Sequence, residues 1–286
     1  MSCGGASTTL STQTRMGPSP MPSLPVHPVE AALDVLGVSP ATLRARERIK
    51  HGLTNESWLI RTARDALVVR ISAADEQALQ IDRRSEASIL AAVSAAGIGP
   101  EVVLCDPDRR LLVTRYIPGE TWRSGQVREP ENLRRLAALV HALHGLAVPA
   151  GARRLDLAAS VQAYWRTLDA RGERGDDTAA LRRRAQEVLA ELARGAVACL
   201  CHNDLNPLNI LDDGRLWLID WEYAGVGEPL FDLASICAEH RLGPREREAL
   251  RMAYAQGQVD PQRLELACWL FEYVRDLWMA VRATPA

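Results

Sequence analysis

One segment of the 286-residue chain sets charged and amide side chains beside apolar strands. It reads CHNDLNPLNILDDGRLWLIDWEY over residues 201–223, and Asp213-Gly214 separates its two short apolar runs. An Asp-Gly pair in this position is one of the strongest hairpin signals. In such a hairpin Asn209 starts the first strand and Asp220 ends the second, so antiparallel pairing brings them side by side. Asp204, in the loop before Asn209, can face the same point.

These three side chains predict a particular chemistry. Two carboxylates and one amide oxygen make a site of hard oxygen ligands, which suits Mg²⁺. Mg²⁺ usually takes one or two protein carboxylates and leaves its other positions to phosphate and water. A third group that does not bind the metal can orient or deprotonate a hydroxyl. The segment therefore predicts phosphoryl transfer, in which the protein positions the reactants and neutralises charge.

Composition restricts the partners of the chain. With 47% hydrophobic residues and a net charge of -2, the chain can bury a large core but has no general field to attract nucleic acid or an anionic membrane. It contains no run of about 18 apolar residues, so we expect no membrane-spanning helix. Lys50 is the only lysine, so an arginine must anchor any phosphate. We expect a small-molecule partner, no nucleic acid and no membrane; the sequence leaves the oligomeric state open.

The six cysteines are scattered, which favours a reducing, cytoplasmic setting over a disulfide-bonded protein. Cys199, Cys201 and His202 lie close enough in sequence to suggest a metal site. However, no second Cys/His pair follows at finger spacing, and the two cysteines alternate like one face of a buried strand. The sequence therefore favours a plain core strand here.

The pattern of apolar residues divides the chain into three parts. Residues 1–28 are rich in Ser, Thr, Pro and Gly and are predicted to be a disordered tail. Residues 29–117 are predicted to form a small β-rich lobe, with hairpins over 57–72 and 101–116 and a helix over 82–96. Residues 118–286 are predicted to form a larger helical lobe that carries the hairpin described above, with helices over 131–146, over 178–194 and from about 230 onward. The predicted fold class is α+β.

The run HNDLNPLNILDDGRLWLIDWEYAG, residues 202–225, resembles the catalytic loop and metal-binding segment of the aminoglycoside phosphotransferase and choline kinase superfamily. The likeness is carried by His-x-Asp, by the Asn five residues after that Asp, and by Ile-Asp-Trp-Glu-Tyr-Ala-Gly. It implies a two-lobed protein-kinase-like fold. It also implies that Asp204 is the catalytic base, that Asn209 and Asp220 bind Mg²⁺, and that His202 braces the loop.

The resemblance extends into the smaller lobe and implies where ATP binds. GLTNESWLI, residues 52–60, is similar to the hairpin that covers the phosphates in this superfamily. ATP would lie between the lobes, with its adenine against the segment that joins them. The implied nucleotide-binding residues in these two segments are Thr54, Asn55, Ser57, Thr114 and Tyr116.

Two further residues are expected to position the phosphates. Arg70 stands where protein kinases carry a lysine, and its guanidinium can clamp two phosphate oxygens. Glu86, in the following helix, is the carboxylate expected to pair with it; the alternative puts both residues on solvent-facing surfaces. A non-catalytic, nucleotide-binding pseudokinase is the alternative of another class. The presence of Asp204, Asn209 and Asp220 argues against it.

The acceptor alcohol is the least constrained part of the prediction. The segments IDWEY, GLTN and IDRRSE are more similar to the choline and ethanolamine kinase branch than to aminoglycoside-resistance enzymes. A quaternary ammonium is held by aromatic faces and a nearby carboxylate. Trp278 resembles the tryptophan of the choline pocket, and Glu222 and Tyr223 would border the same pocket; packing of Trp278 in the core is the alternative. Thiamine kinase and aminoglycoside phosphotransferase remain open as alternatives to a choline or ethanolamine kinase.

Overall fold

The computed structural model describes residues 1, 28–49, 55–72, 81–173, 178–195, 197–254 and 258–283. Most of the tail predicted over residues 1–28, as well as Thr54, lies outside these residues. The described part has a β-rich amino-terminal lobe followed by a larger helical lobe. The predicted α+β, two-lobed fold is therefore confirmed.

The amino-terminal lobe is built on a five-stranded antiparallel sheet with the strand order β1-β2-β3-β5-β4. β3 is central, and its register sets Arg70 directly opposite Ser57 of β2. Apolar residues of the central strands pack with helix α1, which buries Val29 and Ala32. The elements are α1 (Pro28–Val35), β1 (Leu43–Ile49), β2 (Glu56–Thr62), β3 (Ala66–Ile71), α2 (Arg83–Ala95), β4 (Val102–Asp106) and β5 (Leu111–Arg115).

Helix α2 connects the sheet to the core of the second lobe. Asp82 caps it by accepting hydrogen bonds from the backbone amides of Arg84 and Ser85, which satisfies donors that have no partner inside the helix. Its apolar face, which includes Ile89 and Val93, packs into the main core of the helical lobe. The polar face of α2 is thereby fixed toward the space between the lobes.

The helical lobe is organised around α8, which packs against α4, α5 and α6. Its helices are α3 (Pro130–His144), α4 (Leu157–Arg171), α5 (Ala179–Ala193), α6 (Pro229–Glu239), α7 (Pro244–Ala253) and α8 (Pro261–Arg282). None of the helices in the described part of the chain has the length and apolarity that a bilayer-spanning segment requires.

Two small antiparallel sheets frame the loops of the helical lobe. One sheet has the order β6-β8-β9, and the other pairs β7 with β10. Gly119 enters the first sheet where the lobes join, and its backbone lies so near Asp212 that a Cβ would be 2.5 Å from the Asp212 carbonyl oxygen. Only glycine permits this approach. The strands are β6 (Glu120–Thr121), β7 (Cys199–Cys201), β8 (Ile210–Asp212), β9 (Leu216–Leu218) and β10 (Gly225–Gly227).

The predicted elements agree with the structure except at a few positions. The hairpins β2–β3, β4–β5 and β8–β9 and the helices α2, α3 and α5 lie within one or two residues of their predicted ends. Helices α1 and α4 and strands β1, β6 and β10 were not predicted. β1 reads LRARERI, in which the charged residues outnumber the apolar ones; it is an edge strand of the sheet and exposes Arg44, Glu47 and Arg48.

Candidate active site

The loop between β7 and β8 holds Asp204 in a fixed orientation. Asn206 Nδ2 donates a hydrogen bond to one carboxylate oxygen of Asp204 at 2.9 Å. Asn209 Nδ2 donates to the other oxygen at 2.8 Å and also to the Asp204 carbonyl at 2.9 Å. Two amide donors therefore position the carboxylate and leave its remaining lone pairs to other groups.

The β8–β9 hairpin brings Asn209 and Asp220 together at its open end, as the Asp-Gly turn implies. Ile210 pairs with Leu218, and the Ile219 amide donates to the Asn209 carbonyl at 3.0 Å. Asp220 itself has a φ of 64°, in the left-handed region that aspartate tolerates better than most residues. This turn of the backbone ends the strand. Asp204, Asn209 and Asp220 all line the cleft between the lobes.

The charge around Asp220 suits a cation. Its burial, followed by the neighbouring carboxylates of Glu222, Asp204 and Glu86, raises the pKa of Asp220 to about 7, against the opposing effect of Arg70. Arg70 Nη1 lies 3.5 Å from Asp220 Oδ1. The Asn209 amide nitrogen is occupied by Asp204, so its oxygen is the atom that can coordinate. A carboxylate and an amide oxygen surrounded by excess negative charge fit Mg²⁺.

A buried network of charged residues joins the two lobes. Arg70 Nη2 lies 2.7 Å from one carboxylate oxygen of Glu86 and donates to the other at 2.8 Å. Arg83 donates to Glu86 at 2.8 Å and to Glu222 at 3.2 Å. Asn55 bonds to both Arg83 and Glu222. Two arginines thus balance two carboxylates in a region with little solvent, which is the condition under which buried charges are tolerated.

The network contains the predicted pair Arg70 and Glu86. It also contains Glu222, for which different contacts were expected. Arg70 and Glu86 are in contact, as expected. Glu222 was predicted to border the acceptor pocket, but its Oε2 is bonded to Asn55 and Arg83 and the residue is 3% exposed. Its carboxylate is therefore used within the network. Arg83 was not predicted, although a second arginine in IDRRSE is a signal that could have identified it.

Two cavities meet at Asp204. The cleft between the lobes has a volume of about 590 Å³, and its walls include Ser57, Arg70, Thr114 and Tyr116. A second cavity of about 960 Å³ lies in the helical lobe. Aromatic side chains form much of its wall, namely Trp122, Tyr164, Tyr223, Phe231, Phe271 and Trp278. Asp204 lines both cavities.

Tyr223 and Trp278 also line both cavities. Their rings meet edge to face, with centroids 6.3 Å apart. The guanidinium carbon of Arg282 lies 4.7 Å from the centroid of the Trp278 ring, so this indole face already contacts a cation. Trp278 is therefore a cavity-wall residue and not a fully buried core residue.

Asp232 holds the backbone of the loop that carries Asp204. The sequence did not predict this role. Asp232 is fully buried in α6. Its carboxylate accepts hydrogen bonds from the backbone amides of His202 at 2.9 Å and Asn203 at 2.6 Å, and it contacts His144 Nε2 at 3.0 Å. The signal was a single carboxylate in the apolar run PLFDLASICA, because a buried charge requires partners.

His202 braces the loop from its other side. Its Nε2 donates to the Ile219 carbonyl at 3.0 Å, which ties the loop to the end of β9. Burial lowers the pKa of His202 below its ordinary value, against the charges of Asp232 and Asp204. Asn203, between His202 and Asp204, has a φ of 67° and donates to the Tyr223 carbonyl at 3.1 Å. These bonds fix the direction in which Asp204 points.

The His144–Asp232 pair predicts how stability varies with pH. Burial alone would lower the pKa of His144, but the hydrogen bond and charge of Asp232 outweigh it and raise the pKa above 6.5. A histidine whose pKa is raised by folding stabilises the folded protein at pH values below its pKa in the unfolded chain. This stabilisation is lost as the pH rises through the pKa of the histidine in the folded protein. The difference in free energy of unfolding between the wild type and His144→Gln should therefore shrink as the pH rises from below 6.5 through the raised pKa of His144.

Urea unfolding at a series of pH values measures this difference. His141→Gln, which replaces an exposed histidine on the same helix, is the matched control. A stability difference between wild type and His144→Gln that grows with pH would contradict the assignment.

A β-rich lobe over a helical lobe, with an Asp-Asn-Asp group at the cleft between them, defines a two-lobed phosphotransferase. The family model described as "Phosphotransferase enzyme family" matches residues 45–267, and the chain belongs to that family. The predicted superfamily and enzyme class are thus confirmed.

Similar proteins extend over most of the chain. Protein LicA of Haemophilus influenzae is 27% identical over 248 residues, which cover 81% of this chain and 71% of LicA. The crystal structure of choline kinase LicA from Streptococcus pneumoniae superposes with a TM-score of 0.75 and 22% identity, over 89% of both chains. A choline/ethanolamine kinase family protein from Mesorhizobium loti gives a TM-score of 0.70 and 28% identity, over 89% of this chain and 85% of that one.

Proposed function

We propose that this chain is an ATP- and Mg²⁺-dependent kinase that phosphorylates the hydroxyl of a cationic amino alcohol, with choline or ethanolamine as first choice. The observation that carries the proposal is that Asp204 lines both the cleft between the lobes and the aromatic cavity. One carboxylate thereby touches the space for a phosphate donor and the space for an acceptor. Membership of the phosphotransferase family supports the same reaction.

ATP would occupy the cleft. Its adenine would lie against Thr114 and Tyr116, at the end of β5, and its phosphates would lie near Ser57 and Arg70. Asn55 lines the same cleft and is held in place by Glu222. Mg²⁺ would be held by Asn209 and Asp220 and would neutralise charge on the phosphate oxygens.

Asp204 would orient the acceptor hydroxyl and accept its proton. The two amides that bond to Asp204 hold its carboxylate in place before the substrate arrives, so less freedom is lost in reaching the reactive geometry. Asp232 fixes the backbone of the same loop through the amides of His202 and Asn203. In-line transfer then depends on positioning and charge neutralisation, with little covalent chemistry for the protein to perform.

The aromatic cavity would bind the cationic end of the acceptor. Tyr164, Tyr223 and Trp278 offer ring faces or edges, and Glu239 adds an acidic group to the wall. A quaternary ammonium has no hydrogen to donate, so aromatic faces and a carboxylate are the groups that can recognise it. The likeness to a choline kinase and to a choline/ethanolamine kinase family protein supports this class of acceptor.

ADP release tests the acceptor directly. The purified chain would be supplied with ATP, Mg²⁺ and either choline, ethanolamine, thiamine or kanamycin at matched concentration. We expect release with choline or ethanolamine to exceed the rate without acceptor, because both combine a cation with a free hydroxyl. If neither choline nor ethanolamine raised ADP release, the proposed acceptor would be refuted. ADP release with thiamine or kanamycin would identify that compound as the acceptor instead. Silence with all four, together with ATP binding, would favour a pseudokinase.

Arg70→Lys is expected to weaken use of ATP. Arg70 reaches Glu86 and Asp220 at once, with 11% of its side chain exposed, and a lysine ammonium lacks the planar fork that makes both contacts. Losing one charged hydrogen bond costs about 1.5–3 kcal/mol, so kcat/KM for ATP should fall about 10- to 100-fold. Arg48→Lys, on the exposed strand β1, is the control. An unchanged kcat/KM for ATP in Arg70→Lys would contradict the assigned role.

A further inference from the structure

A cluster of soft metal ligands lies beneath the catalytic loop, outside both cavities. It consists of His144, Cys199 and Cys201, and we call it the Cys/His cluster. One ligand atom from each residue lies within 4.8 Å of the other two. Cys199 and Cys201 share one face of β7 because side chains alternate along a strand. His144 reaches the same place from the last turn of α3.

The spacing of the sulfurs matches a tetrahedral metal site. The two Sγ atoms are 3.7 Å apart. In a tetrahedral zinc site with Zn–S bonds of about 2.3 Å, two sulfur ligands lie about 3.8 Å apart. A disulfide would need the sulfurs to close to about 2.05 Å, with a Cβ separation that a straight strand does not offer to residues two apart. The observed separation therefore suits a shared metal ion better than a disulfide.

His144 is already oriented as a zinc ligand would be. Asp232 contacts Nε2 at 3.0 Å, and Nδ1 faces the hydroxyl of Tyr254 at 2.7 Å. With the Nε2 proton donated to Asp232, the lone pair of Nδ1 is available and accepts from Tyr254. Zinc-binding histidines usually donate their second ring N–H to a carboxylate in this way. A metal ion would take the place of the Tyr254 hydroxyl at Nδ1.

Glu228 lies near the Cys/His cluster but is not one of the three residues whose ligand atoms lie within 4.8 Å of one another. It lies at the start of α6, near enough for its charge to act on both His144 and Cys199. Its Oε2 is buried, and no residue in the described part of the chain gives it a hydrogen bond. A buried oxygen without a partner is uncommon in folded proteins, and a metal-bound water would donate a hydrogen bond to it.

We propose that the Cys/His cluster binds Zn²⁺ through Cys199, Cys201 and His144, with water in the fourth position. On binding, each thiol loses its proton to solvent as its Zn–S bond forms. His202, the histidine that the sequence places next to the cysteines, is not a ligand because both of its ring nitrogens are used: Nε2 donates to the Ile219 carbonyl and Nδ1 accepts from the Asp204 amide. His144 comes from a distant part of the chain, which explains why the sequence showed no finger spacing.

This ion would tie the catalytic loop to its support. Strand β7 runs directly into the loop, and Asp232 joins the loop amides to His144. The proposed ligands come from α3 and β7, so one ion would cross-link these two elements. Because Zn²⁺ would bind the folded state only, it should raise the thermal midpoint of the protein.

Co²⁺ and Zn²⁺ binding to the full chain tests the proposal. The reduced protein would be titrated with Co²⁺ in excess Mg²⁺, which occupies the hard-oxygen site. We expect a thiolate-to-cobalt charge-transfer band that saturates at one equivalent, is removed by Zn²⁺, and is lost in Cys199→Ser. Zn²⁺ affinity should fall at least about 100-fold in Cys199→Ser. This is more than the loss expected when a residue that only hydrogen-bonds to a metal ligand is removed. Cys105→Ser, a half-buried free cysteine on β4, should behave as wild type.

X-ray absorption of the wild-type zinc complex tests the ligand set without any variant. We expect two sulfur ligands at about 2.3 Å, together with nitrogen and oxygen ligands at about 2.0–2.2 Å. A shell of nitrogen and oxygen alone would overturn the proposal. Co²⁺ binding without a thiolate band, or equal Zn²⁺ affinity in wild type and Cys199→Ser, would also overturn it.

Discussion

Asp204→Asn is expected to lower kcat by about 10²- to 10⁴-fold, the usual contribution of a positioned general base. Asparagine keeps the size of the side chain but removes its charge and its ability to accept a proton. Asn206 and Asn209 both donate to this carboxylate, and an amide can accept through only one atom. The loop should remain folded, because its backbone is held by Asp232 and not by Asp204.

Steady-state ADP release with the best acceptor measures this effect. ATP affinity, measured separately by calorimetry, should change much less than kcat. Asp108→Asn is the matched control, since Asp108 is exposed and pairs with the surface residue Arg84. A kcat within a few-fold of wild type in Asp204→Asn would mean that another group accepts the proton.

Asp232→Ala is expected to lower the free energy of unfolding by about 3–5 kcal/mol, as found when one partner of a buried charge pair is removed. The substitution leaves the amides of His202 and Asn203 without their acceptor and removes the partner of His144. Catalysis should fall as well, because these two amides fix the backbone immediately before Asp204. The effect arises although Asp232 lines neither cavity.

Urea unfolding measures the loss of stability, and ADP release measures the loss of activity. Asp232→Asn preserves the shape and one acceptor oxygen and should therefore lose less stability than Asp232→Ala. Asp276→Ala provides the control, because Asp276 is an exposed aspartate on α8. A loss of under about 1 kcal/mol in Asp232→Ala, the scale of a surface substitution, would contradict the proposed support of the loop.

The parts of the site that could be predicted are those encoded by local sequence. The Asp213-Gly214 turn determines the β8–β9 hairpin, and the hairpin alone is enough to bring Asn209 to Asp220. Arg70 and Glu86 could be paired because the resemblance gave both their order and their roles. Their contact at 2.8 Å agrees with that expectation.

The parts that were missed depend on contacts between distant segments. Asp232 stands alone in an apolar run and Arg83 is one of two arginines in IDRRSE, and each has partners in other elements of the fold. Glu222 was predicted to border the acceptor pocket, and nothing in the sequence indicated that its side chain bonds to Asn55 and Arg83. Sequence indicates that a buried charge needs a partner. It does not indicate which distant residue provides it.

Phosphorus NMR of a reaction mixture tests the central proposal most directly. The wild-type chain would be incubated with ATP, Mg²⁺ and choline, and in parallel with ethanolamine. We predict a phosphomonoester signal that grows in step with ADP in at least one mixture and requires both Mg²⁺ and Asp204. Inorganic phosphate as the only new product, or no turnover while ATP binds, would contradict transfer to an amino alcohol.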